Sequence, residues 1–269
     1  MMGWLRVCLA LLLLLQWTGA DHDDDDHSVV HTKYRPGECL PGDKHKELAC
    51  PEPEGPDYKA CFQWRDETCC TAEFTEQLDT PRVTDVDGFR WDHCGNLSDR
   101  CHDYFVNMEC FYRCSPNVAH WRNPNYTSAV LQLPVCREFC DEWYDACAAD
   151  MTCATNWISD WLYVNEKNLC INSSSCRTFS DVYGSGKGLC EMLWGPSFVY
   201  SNTSSTDPDR ECMTISWNVD QPSPNEVALN NIFGDAVNTV EAATCGGRGL
   251  SVWSALVTLV TMGVATVLL

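Results

Sequence analysis

The sequence predicts a helix-rich, disulfide-stapled α+β domain with short β-strands. Three observations predict it: an even, dense set of cysteines, two long amphipathic helical patterns that carry several of them, and turn-rich segments between the patterns. Of the 19 cysteines, Cys8 falls in an N-terminal leader, which leaves 18 between Cys39 and Cys245. Cys39, Cys61, Cys69, Cys70, Cys94, Cys101, Cys110, Cys114, Cys136, Cys140, Cys147, Cys153, Cys170, Cys176, Cys190 and Cys212 are expected to be bridged, in a connectivity that spacing does not give. Cys245 lies at the edge of an apolar tail, so Cys50 is a candidate free thiol. Zinc is the competing use of clustered cysteines, but spacings such as Cys110–Cys114 and Cys136–Cys140–Cys147 are not paired CxxC units.

In chain order, residues 1–20 read as a signal peptide: Arg6, an apolar run from Val7 to Leu15, then Thr18-Gly19-Ala20. About 10 to 12 apolar residues are too few to span a bilayer. Residues 21–36 form an acidic extension whose Asp23–Asp26 run is assigned no function. The folded domain is placed at 37–236. Within it Ser98 is positioned to cap a helix running to Cys114, with Tyr104, Phe105, Met108, Phe111 and Tyr112 at helical spacing and Pro116 beyond its end. A second helix is expected across Val135 to Met151, with Cys136, Cys140, Trp143 and Cys147 on one face. Turns are expected at Asn123–Asn125, at Gly184–Gly186 and across Asn202–Arg210. The alternation of Met213, Ile215 and Trp217 suggests a short strand, and a last helix is expected from Asn225 to Phe233. Residues 237–249 are assigned as a linker and attachment region. The apolar stretch 250–269 reads as a glycosylphosphatidylinositol signal that is removed, with small residues Ala242, Ala243, Gly246 and Gly247 before it. The expected location is therefore the extracellular face of the cell membrane, with a secreted form as the alternative. Sequons at Asn96, Asn125, Asn172 and Asn202 are expected to carry glycans facing water.

A formal charge of −20 argues against nucleic acid or an anionic membrane as partner. No nucleophile elbow, HExxH, P-loop or dinucleotide fingerprint is present, and His93 and His102 lie near carboxylates only as an acidic chain makes common. The chain therefore reads as a non-enzyme without a catalytic cofactor or metal. Trp64, Trp91, Trp121, Trp143, Trp157, Trp161 and Trp194 all fall inside the cysteine-rich region, more aromatic surface than a core of this size requires. The surplus suggests a stacking platform for a planar ligand.

Cys69-Cys70, Trp91-Asp92-His93-Cys94-Gly95, Glu109-Cys110-Phe111-Tyr112-Arg113-Cys114-Ser115-Pro116 and Cys140-Asp141-Glu142-Trp143-Tyr144-Asp145-Ala146-Cys147 form a recognisable series. With Asn156-Trp157, Trp161 and Cys190-Glu191-Met192-Leu193-Trp194-Gly195, they resemble the folate receptor and riboflavin-binding protein family from about Cys39 to Phe233. The resemblance implies a folate receptor-type fold and reversible, non-covalent vitamin binding. It is closer to the riboflavin-binding branch, in which a flavin ring lies between a Tyr and a Trp. Those positions fall on Tyr112 and Trp194, with Trp161, Trp157, Trp91 and Ser197 as further ligand-binding candidates.

Folate receptors are implied to hold folate with a Trp and two Arg before Cys136, and with a His and a Trp near Trp161. Here those positions read Asn125, Tyr126 and Ala129, then Ile158 and Tyr163. The pterin-binding carboxylate has only Asp79 or Asp85 as approximate neighbours. Riboflavin is thus the expected ligand and folate the alternative. A third reading is a surface module for an unknown protein partner that has lost the vitamin, as the family's egg-surface sperm receptor has.

Overall fold

The computed structural model describes residues 32–46, 50–172, 175–234 and 236–237. The expected signal peptide, most of the acidic extension, the linker apart from its first residue and the apolar tail lie outside the described residues. Among the described residues are six α-helices and eight short strands, with no helix long and apolar enough to cross a membrane.

Capping sets where the helices begin. The Thr71 hydroxyl accepts from the Phe74 N–H to start α1 (Ala72–Leu78). Strands β1 (Asp85–Val86) and β2 (Phe89–Arg90) then pair antiparallel around a turn whose Asp87 and Gly88 sit at φ 51° and 83°. Ser98 caps α2 (Asp99–Cys114) by accepting from the Cys101 N–H, as its place before the periodic run predicts. Next come β3 (Leu133–Cys136), α3 (Arg137–Cys147), β4 (Met151–Thr152), β5 (Trp161–Val164), β6 (Lys167–Cys170) and β7 (Arg177–Thr178). The chain closes with α4 (Phe179–Tyr183), α5 (Gly186–Met192), β8 (Phe198–Ser201) and α6 (Asn225–Phe233).

Two expectations are corrected here. The helix read across Val135–Met151 is shorter at both ends, because Val135 and Cys136 join the parallel β3–β8 pairing and Met151 pairs with Thr178 in β4–β7. The segment Met213–Trp217 is not a strand. Met213 makes one bridge to Val135, and Thr214 is then held on both backbone polar groups by the Asn225 side chain, at 2.8 and 3.0 Å, which diverts the chain from a ladder.

Helices α2 and α3 pack through Phe105 and Trp143, whose rings meet edge to face at 5.2 Å, and Phe105 continues to Trp157 at 4.9 Å. Helix α5 lies against α3 at Gly186, where any Cβ would stand 2.6 Å from the Asp141 Cα. Eight bridges with both cysteines among the described residues fix this arrangement: Cys39–Cys69, Cys61–Cys110, Cys70–Cys114, Cys94–Cys176, Cys101–Cys147, Cys136–Cys212, Cys140–Cys190 and Cys153–Cys170. Cys50 is also disulfide-bonded, which corrects its reading as a free thiol. The sulfurs of Cys94, Cys153 and Cys170 lie close enough for a metal, but all three are oxidised in bridges and offer no thiolate.

Candidate ligand-binding site

A cavity of about 380 Å³ opens where α2, the β1–β2 and β5–β6 hairpins and the segment after α5 converge, within the roughly 300–1,000 Å³ typical of small-molecule sites. Met108, Glu109, Tyr112 and Arg113 come from one face of α2, where residues four apart lie above one another. The first hairpin adds Val86, Asp87 and Phe89, and the second adds Tyr163 and Glu166 with Ile158 ahead of it. Trp194, Ser197 and Phe198 close the opposite wall, with Ala129, Val130 and Lys44 at the remaining sides.

The two aromatic walls are held in place before any ligand arrives. The Tyr112 hydroxyl donates to the Ser128 carbonyl at 2.6 Å, and His45 packs edge-on against its ring at 5.2 Å while donating from Nε2 to the Tyr112 carbonyl at 3.1 Å. Burial pushes the Tyr112 phenol up to about 12 and the His45 imidazole down to about 4. Trp194 is buttressed by Phe89 at 6.3 Å and Trp157 at 6.0 Å.

The polar side of the cavity is self-neutralising. Arg113, 8% exposed at its side chain, donates to Asp87 at 2.5 Å and to Glu109 at 2.8 Å, and its guanidinium sits 4.5 Å over the Phe74 ring. Lys44 reaches Asp87 at 3.0 Å and Gln77 reaches it at 3.2 Å. Partial burial works against the Asp87 charge, yet these donors, Arg113 foremost, hold its carboxyl at about 2. Both cations of the lining are therefore engaged by carboxylates, and Glu166 adds a third negative group.

Of the residues singled out in sequence, Tyr112, Trp194 and Ser197 line the cavity. Trp91, Trp157 and Trp161 do not line it. They are buried behind the cavity as packing: Trp91 against Phe105, Trp157 against Phe105 and Trp194, and Trp161 against Phe89 at 5.7 Å. The cavity carboxylates are Asp87, Glu109 and Glu166 rather than Asp79 or Asp85. Asn125 and Tyr126 are exposed on the 123–128 loop and turn away from the cavity that the neighbouring Ala129 lines. Asn96 and Asn202 are also exposed, as is Asn172, whose sequon partners fall outside the described residues. Met108, Val130, Phe198 and Arg113 were not legible as lining, since only the fold brings these segments together. A second, polar cavity of about 410 Å³ between Phe62 and Trp217 contains none of the ligand candidates.

Comparison with known proteins places the chain in a family. The family model described as the folate receptor family matches residues 38–214. The chain belongs to the folate receptor family. It is 43% identical over 199 residues to the riboflavin-binding protein of Gallus gallus, covering 74% of this chain and 77% of that one. It is 40% identical over 166 residues to the riboflavin-binding protein of Dromaius novaehollandiae, covering 62% and 68%. Folate receptor gamma of Homo sapiens is 34% identical over 231 residues, covering 84% and 90%. These relatives are named as binding proteins and a receptor, so the family reading is that of a vitamin-binding protein and not an enzyme.

Proposed function

We propose that the chain binds riboflavin reversibly at the cavity between Tyr112 and Trp194 and acts as a surface-held flavin carrier or receptor. The observation that carries this reading is a cavity with two pre-held aromatic walls whose cations are already neutralised. A flat, uncharged ring gains from such walls, each aromatic pairing adding about 0.5–1.5 kcal/mol beyond area burial. A ligand with a free dicarboxylate tail, such as folate, finds no unengaged cation and meets net negative charge. The identities to the two riboflavin-binding proteins support the same choice. A dense disulfide framework requires an oxidising compartment, which supports an extracellular site, and the apolar run at 250–269 supports a lipid anchor.

The test is riboflavin fluorescence titrated with the purified processed protein, with folic acid as competitor. Stoichiometric quenching that folate does not reverse is expected. Displacement by folate moves the assignment to folate, and absence of quenching by the folded protein moves it to protein recognition. Release of the protein from cells by phosphatidylinositol-specific phospholipase C tests the anchor separately.

A further inference from the structure

The β5–β6 hairpin breaks the rule that the solvent face of an antiparallel pair is polar. Side chains alternate along each strand, so Trp161, Tyr163 and Asn168 turn inward, the first and last buried and Tyr163 bordering the cavity. Leu162, Val164, Lys167 and Leu169 turn outward, Leu162 opposite Leu169 and Val164 opposite Lys167, and Ile171 follows just past β6. Leu162, Val164, Leu169 and Ile171 are 51%, 45%, 37% and 69% exposed. They are four of the ten large exposed hydrophobics among the described residues, a concentration on one hairpin face that marks an interaction surface rather than ordinary scatter, while Ile158 and Tyr163 beside them border the cavity.

We propose that this outward face is a membrane-contact surface that lies along the headgroup boundary of an uncharged lipid leaflet. Its composition selects lipid over a protein partner: the row is Leu, Val, Leu and Ile, whereas protein hot spots concentrate Trp, Tyr and Arg and under-use Leu and Val. Its one charged member is Lys167, whose stem lies along apolar surface while its ammonium reaches the headgroups. The chain's charge of −20 disfavours an anionic leaflet and favours an uncharged one. A hairpin of this size binds lipid weakly alone, and stable attachment takes two signals. The lipid anchor that replaces the removed apolar run at 250–269 supplies the second, and to that extent the inference rests on the anchored reading above. Since Tyr163 and Glu166 on the same hairpin border the cavity, contact holds the ligand site one hairpin's thickness from the headgroups.

The test places the photo-crosslinker p-benzoylphenylalanine at Leu162 in the processed, lipid-anchored protein, reconstituted in phosphatidylcholine vesicles. Val227 carries the same probe as control, being exposed and apolar on α6. Phosphatidylcholine adducts several-fold more frequent at 162 than at 227 are expected, and a probe at Val164 repeats the measurement if the first substitution blocks folding. Adducts only to a second copy, to another part of the chain or to another protein overturn the inference, as do lipid adducts no more frequent than at the control. Riboflavin quenching by the same probe-bearing chain reports the cavity independently, so lost lipid adducts with retained quenching defeat the membrane contact alone.

Discussion

Tyr112 and Trp194 differ in what holds them, and that difference predicts how substitutions behave. Trp194 is fixed by ring contacts to Phe89 and Trp157, so Trp194→Ala removes a cavity wall and leaves those two rings without the one they support. Flavin affinity is expected to fall by roughly 100-fold, about 3 kcal/mol, while Trp194→Phe, which keeps a flat face, loses only several-fold. Wild-type affinity in the Ala variant, read by fluorescence titration, removes Trp194 from the site. Tyr112 is fixed by a hydrogen bond, so Tyr112→Phe gives up the contact to the Ser128 carbonyl and about 1 kcal/mol, roughly a five-fold effect. Arg113 acts on the cavity through its partners. Arg113→Met leaves Asp87 and Glu109 facing one another without their shared cation, an expected loss of about 2–3 kcal/mol and a Tm lower by roughly 5–10 °C. Calorimetry that shows no drop excludes the ion triad as a structural clasp.

The crossing of α3 and α5 depends on a residue with no side chain. Gly→Ala in a helix is ordinarily worth about 0.5–1 kcal/mol of gain. At Gly186 the sign is expected to reverse, because the new methyl meets Asp141 backbone and the Cys140–Cys190 bridge keeps the helices from separating. Urea unfolding of Gly186→Ala is expected to show a loss of at least about 2 kcal/mol. That crossing was hidden in the sequence, where Gly184-Ser185-Gly186 reads as a turn. It is one, but a turn between two short helices, with Gly184 closing α4 in the left-handed region and Ser185 capping α5. Helices α2 and α6 were legible because their limits are local: Ser98 before a periodic run, and a Pro-led run ending at Gly234. The ends of α3 were not, since pairing with distant β8 and β7 decides them. The β5–β6 hairpin escaped because its outer face is aliphatic and shows no polar alternation to read. The same division holds at the cavity. Tyr112, Trp194 and Ser197 were reached through family resemblance, whereas Asp87 enters only through a turn whose place beside α2 is tertiary. Aromatic content alone does not separate a wall such as Trp194 from Trp91, Trp157 and Trp161, which pack behind it.

Among the described residues, the response to acid is set by two deeply buried histidines more than by the abundant carboxylates, with His93, lowered by partial burial, acting in the same direction. His120 stacks on Tyr34 at 5.1 Å, lies 5.1 Å from Phe233 and accepts the Arg35 N–H on Nδ1 at 2.8 Å, so it joins the segment before Cys39 to α6. His45 sits beneath Tyr112, with Arg113 and Asp43 as its charged neighbours. Burial holds both rings at about 4, below the ordinary 6.5, so each is neutral when folded while the unfolded chain binds a proton between those values. Stability from these groups is complete above pH 6.5 and is lost as pH falls toward 4, by roughly 2 kcal/mol per histidine at pH 5. Asp87, held at about 2, loses its contribution only below its ordinary 3.8 and is silent in this window. Glu226, raised by burial and by the charge of Glu67, opposes the trend in part. The Tm is therefore expected to drop by roughly 10 °C between pH 7 and pH 5. Flavin affinity is expected to fall with it, because His45 bears directly on the Tyr112 wall. His120→Gln, a neutral amide of similar reach, is expected to remove about half of the Tm change and little of the affinity change, since His120 is remote from the cavity lining. His45→Gln is expected to flatten the affinity profile instead. A Tm that does not move between pH 7 and pH 5 shows that neither histidine is held neutral by the fold.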